Sequence, residues 1–330
     1  MNKKNFITIG VIAIIAIGVF VYLNKPDKNQ GNSQLETVKV AQFGEALLYM
    51  PLYLANDKDF FLEEGIKIEI TNTGGDDKTF AAVINGSATF GVADPIFAAI
   101  AKEQGLGGKV VASIVNGVPF WGVTKNHAIP EITNATQLRG YRVATFPSPS
   151  TAYTLQCDMF GKAGLKPNIS QGAFGTLLAM LESGQADIAL EFEPNVSIAV
   201  NQGAKVLYSL DDGDFAFTGV TVTDATIEKQ PELVQRFVNA LQKAATFAHT
   251  YPDSVAYFAS KRFPDMNEEV VKNACKRMIE TNLFPQNVII STEAWDKAVE
   301  LRQRVGDIKS VENVKSVLDM SFAEKALSNK

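Results

Sequence analysis

The sequence predicts an α/β protein, and two observations carry the prediction. Short apolar or alternating runs that read as strands alternate with helical patterns from Thr37, and the alternation starts afresh from Leu138. A strand-to-helix joint with a proline at or near the first helical position also recurs, at YMPLYLA from Tyr49, VADPIFAAIA from Val92, PSPSTAY from Pro147 and EPNVSIA from Glu193. Strands alternating with helices imply a largely parallel sheet covered on both faces.

Taken in order, TVKVAQF (37–43) reads as a strand. PLYLANDKDFFLEEG reads as one helix stopped by Gly65, since glycine accepts the left-handed backbone of a helix end. IKIEIT (66–71) alternates apolar and polar residues, as a half-exposed strand does. A turn at Gly74-Gly75-Asp76 leads into the helix DKTFAAVING, the strand ATFGVA and the helix PIFAAIAKEQG. KVVASIV (109–115) and FWGVTK (120–125) are strands, and GLGGK between helix and strand is a turn. In the second half YRVATF (141–146), ADIALEF, AKVLYSL and FTGVTVTD (217–224) are strands, and STAYTLQCDMFGKAG, TLLAMLESG and PNVSIAVNQG are helices. Helices fill most of 226–330. Aligning Gly86 with Gly184 sets FAAVINGSATFGVADP against LLAMLESGQADIALEFEP, an echo that suggests two similar units.

A chain of 330 residues, 46% hydrophobic and 20% charged, is long enough for one large domain or two ordinary ones. The net charge of −5 and the lack of a basic cluster argue against a nucleic-acid partner. Lys3 and Lys4 precede FITIGVIAIIAIGVFVYL (6–23), a run of about eighteen apolar residues that nearly spans a bilayer core. It is long for a signal peptide and lacks a small-x-small cleavage site, so an uncleaved anchor is favoured over a cleaved signal. In both cases the N-terminus stays in the cytoplasm and the remainder is extracytoplasmic. Residues 24–36 are polar and read as a flexible tether. Cys157 and Cys275 lie far apart; two free thiols are the simplest reading, with a single disulfide left open.

Proline suits a helix start because its missing N–H would have no partner there, and Asp94 and Ser148 before it are good caps. The C-terminal ends of strands in open α/β sheets share a crevice, where helix starts present unpaired N–H groups. Helix starts after Gly44, Gly75, Ala93, Phe146 and Phe192 are therefore expected to ring one cleft. Patterns for a nucleophile elbow, a zincin helix, a phosphate-binding loop, a paired-cysteine site or a calcium loop do not occur. With only His127 and His249 available, there is little material for a catalytic triad or a zinc site, and no cofactor is expected. A binding protein rather than an enzyme is the simplest reading.

PLYLANDKDFFLEEGIKIEI, the GG turn, NGSATFGVADP, LRGYRVATFPSPSTAYTL and LESGQADIALEFEP, in that order and spacing, resemble the substrate-binding proteins of ABC importers. The branch concerned includes thiamine-pyrimidine, nitrate, taurine and alkanesulfonate binders, and the likeness covers about residues 37–305. The resemblance implies a two-lobed periplasmic-binding-protein fold of the type II kind, with mixed sheets and a hinge of two crossing strands. Lobe 1 would be 37–123 plus 222–330 and lobe 2 would be 124–221, with the crossings near GVTK (122–125) and GVTVT (219–223). It also implies an ABC transporter permease as partner and a small molecule as ligand. Carried over by position, the ligand contacts are Gly44, Glu45, Tyr49, Gly75, Asp76, Ala93, Asp94, Ser148, Ser150 and Thr151. Glu191 and Glu193 would add from lobe 2, and Asn116, Phe120 and Trp121 would line the wall near the hinge. Alternation puts Glu191 and Glu193 on one face with Phe192 opposite. The cysteine-rich segment of some pyrimidine-synthesising relatives is missing, which puts that activity in doubt.

The candidate loops hold Glu45, Asp76, Asp94, Glu191 and Glu193 and no Lys or Arg. Carboxylates would repel a buried anion, whereas they accept the N–H groups of an amine-bearing heterocycle stacked on Tyr49, Phe120 or Trp121. A thiamine-precursor-like pyrimidine or similar nitrogenous solute is the expected ligand. Sulfonate, taurine or nitrate binding, a membrane-tethered sensor and a pyrimidine-processing enzyme stand as alternatives.

Overall fold

The computed structural model describes residues 35–210 and 213–328. The apolar run 6–23 lies outside them, and no helix among the described residues is long and apolar enough to cross a membrane.

The first part of the chain forms β1 (Glu36–Gln42), α1 (Met50–Asp57), α2 (Phe60–Glu63), β2 (Ile66–Asn72), α3 (Asp76–Ile84), β3 (Phe90–Ala93), α4 (Ile96–Glu103) and β4 (Lys109–Asn116). There follow β5 (Trp121–Thr124), β6 (Val143–Thr145), α5 (Thr151–Lys162), β7 (Ile169–Gln171), α6 (Leu177–Glu182), β8 (Ile188–Glu191), α7 (Asn195–Asn201) and β9 (Lys205–Ser209). β10 (Ala216–Val222) leads into α8 (Asp224–Lys229), α9 (Pro231–Thr250), α10 (Pro252–Arg262), α11 (Glu268–Glu280), α12 (Thr292–Arg304), α13 (Val311–Val314) and α14 (Ser321–Ser328).

Two five-stranded sheets result, in the orders β2-β1-β3-β10-β4 and β7-β6-β8-β5-β9. In each, three parallel strands are followed by one antiparallel strand and an edge strand. The sheets are mixed rather than all-parallel because β10 and β5 reach them by crossing from the other lobe. The two orders correspond strand for strand, with α3–β3 in the place of α6–β8. That is the echo seen between Gly86 and Gly184. β5 pairs with β8 and β9, and β10 with β3 and β4. The chain therefore changes sheets at 117–120 and 210–215, a few residues ahead of the stretches 122–125 and 219–223 expected to cross.

The helix expected over PLYLANDKDFFLEEG is two helices, α1 and α2. The chain turns at Asp59, which adopts a left-handed φ of 60°; short polar side chains tolerate that conformation best after glycine. α9 lays one apolar stripe over the first sheet. Its Phe237 stacks on Phe90 of β3 with centroids 4.0 Å apart and lies 4.9 Å from Phe61 of α2. Each such fully buried ring contributes about 1.5–3 kcal/mol relative to exposure.

In the second sheet Gly122 of β5 faces Tyr208 of β9. The Tyr208 ring lies across the glycine, so a Cβ there would sit 2.2 Å from it. The Tyr208 hydroxyl donates to Gln156 Oε1 of α5 at 2.8 Å, tying strand to helix.

Candidate functional site

A cavity of about 350 Å³ lies between the two sheets, where the C-terminal ends of their parallel strands face each other. The first lobe contributes Phe43 beyond β1, Leu48 and Tyr49, the Gly74–Asp77 turn, Asp94 beyond β3, and Phe217 and Thr218 of β10. The second contributes Phe146 to Ser150 between β6 and α5, Thr151 and Ala152 of the first turn of α5, Phe174 beyond β7, and Phe192 beyond β8. Seven phenylalanines and Tyr49 line it, and among the described residues of its lining there is no Lys, Arg or His. Phe174 stacks on Phe146 and Phe192 and meets Phe43 of the opposite lobe edge-on at 5.9 Å. Phe120 packs 5.3 Å from Phe217 and 6.0 Å from Phe192.

The polar side holds Asp76, Asp77 and Asp94, and two of these, Asp76 and Asp94, are bonded to each other. Asp94 N–H donates to Asp76 Oδ1 at 3.0 Å, and Asp94 Oδ1 accepts from Ile96 N–H at 3.0 Å. Asp94 Oδ2 accepts a short hydrogen bond from the Thr151 hydroxyl across the cleft. Burial, with the Asp94 charge second, pushes the Asp76 carboxyl up to about 7. Burial also raises Asp94, while the nearby Arg302 and the Thr151 bond pull it back. Tyr49 is held well above the ordinary phenol value by burial and by the Asp76 charge, so it stays a proton donor.

The helix starts differ in detail from expectation. Pro95, not Asp94, is the N-cap of α4, and the Asp94 side chain caps from one residue earlier. Ser150, not Ser148, caps α5, accepting from Tyr153 N–H, whereas Ser148 N–H donates to Gln171. Both serines still line the cavity.

Of the residues expected to contact ligand, the structure brings together Tyr49, Gly75, Asp76, Asp94, Phe120, Ser148, Ser150 and Thr151. The others lie off the cavity. Gly44 separates the lining residues Phe43 and Ala46 without lining it, and Ala93 is buried within β3. Glu45 points outward to an ion pair with Arg262 at 2.9 Å, and Asn116 bonds Asp214 at 2.9 Å. Trp121 is core, with the Arg277 guanidinium 5.6 Å from its ring. Glu191 and Glu193 face away from the cavity, and Phe192 between them lines it. Glu193 is fully buried, accepting from Ser197 and from Arg277 Nε at 2.7 Å. Burial pushes Glu191 up to about 7, and its Oε2 accepts from Asn195.

The candidate loops hold no Lys or Arg, but cations reach these acids from elsewhere in the chain. Three of the five have an arginine: Arg262 on Glu45, Arg302 near Asp94 and Arg277 on Glu193. All three come from α10, α11 and α12, far along the chain, so no loop sequence announces them. Of the seven lining phenylalanines the sequence reading named only Phe120 as a contact, although Phe146 and Phe192 stand at strand ends before a proline joint, where the cleft was expected.

Fold and cavity together define the two-lobed periplasmic-binding-protein class. The chain belongs to the NMT1/THI5-like family, whose family model matches residues 48–255. It is 21% identical over 308 residues to YtlA of Bacillus subtilis strain 168, covering 90% of this chain and 91% of YtlA. It is 23% identical over 295 residues to the riboflavin-binding protein RibY of Chloroflexus aurantiacus, covering 83% of this chain and 82% of that one. The periplasmic nitrate-binding protein NrtA of Synechocystis PCC 6803 superposes with a TM-score of 0.70 at 16% identity, over 90% of this chain and 89% of that one.

Proposed function

We propose that the protein is the extracytoplasmic solute-binding component of an ABC importer, and that its ligand is a small planar nitrogen heterocycle. One observation carries the ligand class. Asp76, Asp77 and Asp94 line the cavity; Arg302 stands 3.9 Å from Asp94, whereas Asp76 is deeply buried and shares the cavity with a wall of aromatic rings. A flat ring fills such a slot and stacks on its faces, and ring N–H or amino groups find an acceptor in Asp76. A sulfonate or nitrate would instead meet three aspartates, Asp76, Asp77 and Asp94, with no Lys, Arg or His in the lining to offset them. The cavity of about 350 Å³ falls at the small end of the range of small-molecule sites, which suits a pyrimidine with substituents. That RibY is a riboflavin-binding protein supports the heterocycle class.

The residues that serve the ligand on this reading are Tyr49, Gly75, Asp76, Phe120, Ser148 and Ser150 of the expected set, with Phe146, Phe174 and Phe192 added. Asp94 and Thr151 close the gap between the lobes. The lobes follow sheet membership, and residues 6–23 hold the protein at the outer face of the membrane beside a permease. A thermal-shift panel of aminopyrimidines, riboflavin, taurine and nitrate tests the reading. Stabilisation by one or more heterocycles and none by the anions is expected; stabilisation by taurine or nitrate alone would overturn the ligand class.

A further inference from the structure

We infer that Arg302 is a positioning residue that clasps the two lobes over the cavity by orienting the Thr151 hydroxyl toward Asp94. The inference rests on the reading of that cavity as a ligand site.

Arg302 stands in the last turn of α12, 1% exposed, on a helix packed against β10 and α4 of the first lobe and also against α5 of the second. Its guanidinium reaches the start of α5 in the second lobe. Nη1 donates to Pro149 O at 2.8 Å and to Thr154 Oγ1 at 3.2 Å, and Nη2 donates to Thr151 Oγ1 at 2.8 Å. Asp307 Oδ2 accepts from Nη1 at 3.0 Å, and Asp94 Oδ2 lies 3.9 Å from Nη2. Arg302 thus bonds residues of both lobes at the wall of the cavity, beside the outer tie of Arg304 to Asp158 at 3.2 Å.

The Thr151 hydroxyl has a single proton. Because Arg302 is always a donor, the hydroxyl oxygen accepts from it and the proton is directed to Asp94. Asp94 then has one oxygen engaged by Ile96 N–H and the other by Thr151. Both Asp94 oxygens are thus held within the protein, while Asp76 has one oxygen, Oδ1, held by Asp94 N–H. Without Arg302 the Thr151 hydroxyl loses its fixed sense and Asp94 is buried without a cation, so the contact between lobes weakens.

Hydrogen exchange of the full chain without ligand tests this. In Arg302→Met, peptides covering 147–156 and 93–98 should exchange about tenfold faster or more, while the β1 peptide 36–42 is unchanged. Arg302→Lys should restore part of the protection. Thr151→Val, which keeps the arginine, should give the same local acceleration and serves if the methionine variant folds poorly. Unchanged exchange at 147–156 in both variants would overturn the inference. So would equal acceleration at 36–42 that lysine does not relieve, which marks a merely structural arginine. Riboflavin serves as the binding probe in a second arm: where wild type binds it, the methionine variant should bind at least tenfold more weakly. The exchange arm contains no ligand, so a wild type that ignores riboflavin bears on the choice of heterocycle and not on the clasp.

Discussion

Asp76 is the residue on which most of the chemistry turns. Its carboxyl ordinarily titrates at 3.8 and is pushed to about 7 by burial and by Asp94. A raised carboxyl favours the protonated fold, so this stability is full below about 3.8 and is lost as pH rises through about 7. Burial sets Glu191 in the same window. Melts of the ligand-free protein should therefore fall from pH 5 to pH 8, and Asp76→Asn and Glu191→Gln should each flatten part of that fall. Slopes unchanged in both variants would remove this account of the carboxyls. Glu193 plays another part: Glu193→Ala should lower stability by about 3 kcal/mol by leaving Arg277 and Ser197 without their partner, read as a drop in the urea midpoint. The acids were legible in the sequence because each follows or borders a strand-to-helix joint. Their fates were not. Strand alternation sends Glu191 and Glu193 to the helix side, and the arginines that neutralise three of the acids arrive from α10, α11 and α12.

Among the elements, strands were read to within a residue or two wherever apolar runs were long, as in KVVASIV, which is β4 with one added residue. Short or polar ones escaped: β7 is three residues, Ile169–Gln171, with no apolar alternation to mark it. The break between α1 and α2 was hidden because helical periodicity continues across Asp59. β5 shows an element constrained by its partner. Gly122→Ala would drive a methyl into the Tyr208 ring and strain the Gln156 bond. The expected cost is about 1–3 kcal/mol, seen as a shifted urea midpoint with an unchanged slope. A neutral Gly122→Ala would mean the ring moves aside freely. Phe174, 46% exposed and reaching Phe43 across the cleft, belongs to the same scale. Phe174→Ala should speed ligand release with little effect on melting of the free protein, measured by stopped-flow dissociation.

At the scale of the whole molecule, two sheets with one strand order face each other with their parallel strand ends, and the cavity lies between them. The repeat was legible because the helix-stop glycines Gly86 and Gly184 stand before equivalent strands. The exchange of β5 and β10 between sheets was legible only through resemblance, since alternation alone argues for parallel neighbours. The central claim is that this gap grips a flat nitrogenous solute through Asp76 and stacked rings. Its most direct test is titration calorimetry of the full chain with riboflavin and an aminopyrimidine, in wild type and in Asp76→Ala. The account predicts a dissociation constant at or below about 10 µM for at least one of them in wild type, weakened at least tenfold by the substitution. Equal affinity in both proteins, or silence toward both compounds beside tight binding of taurine or nitrate, would contradict it.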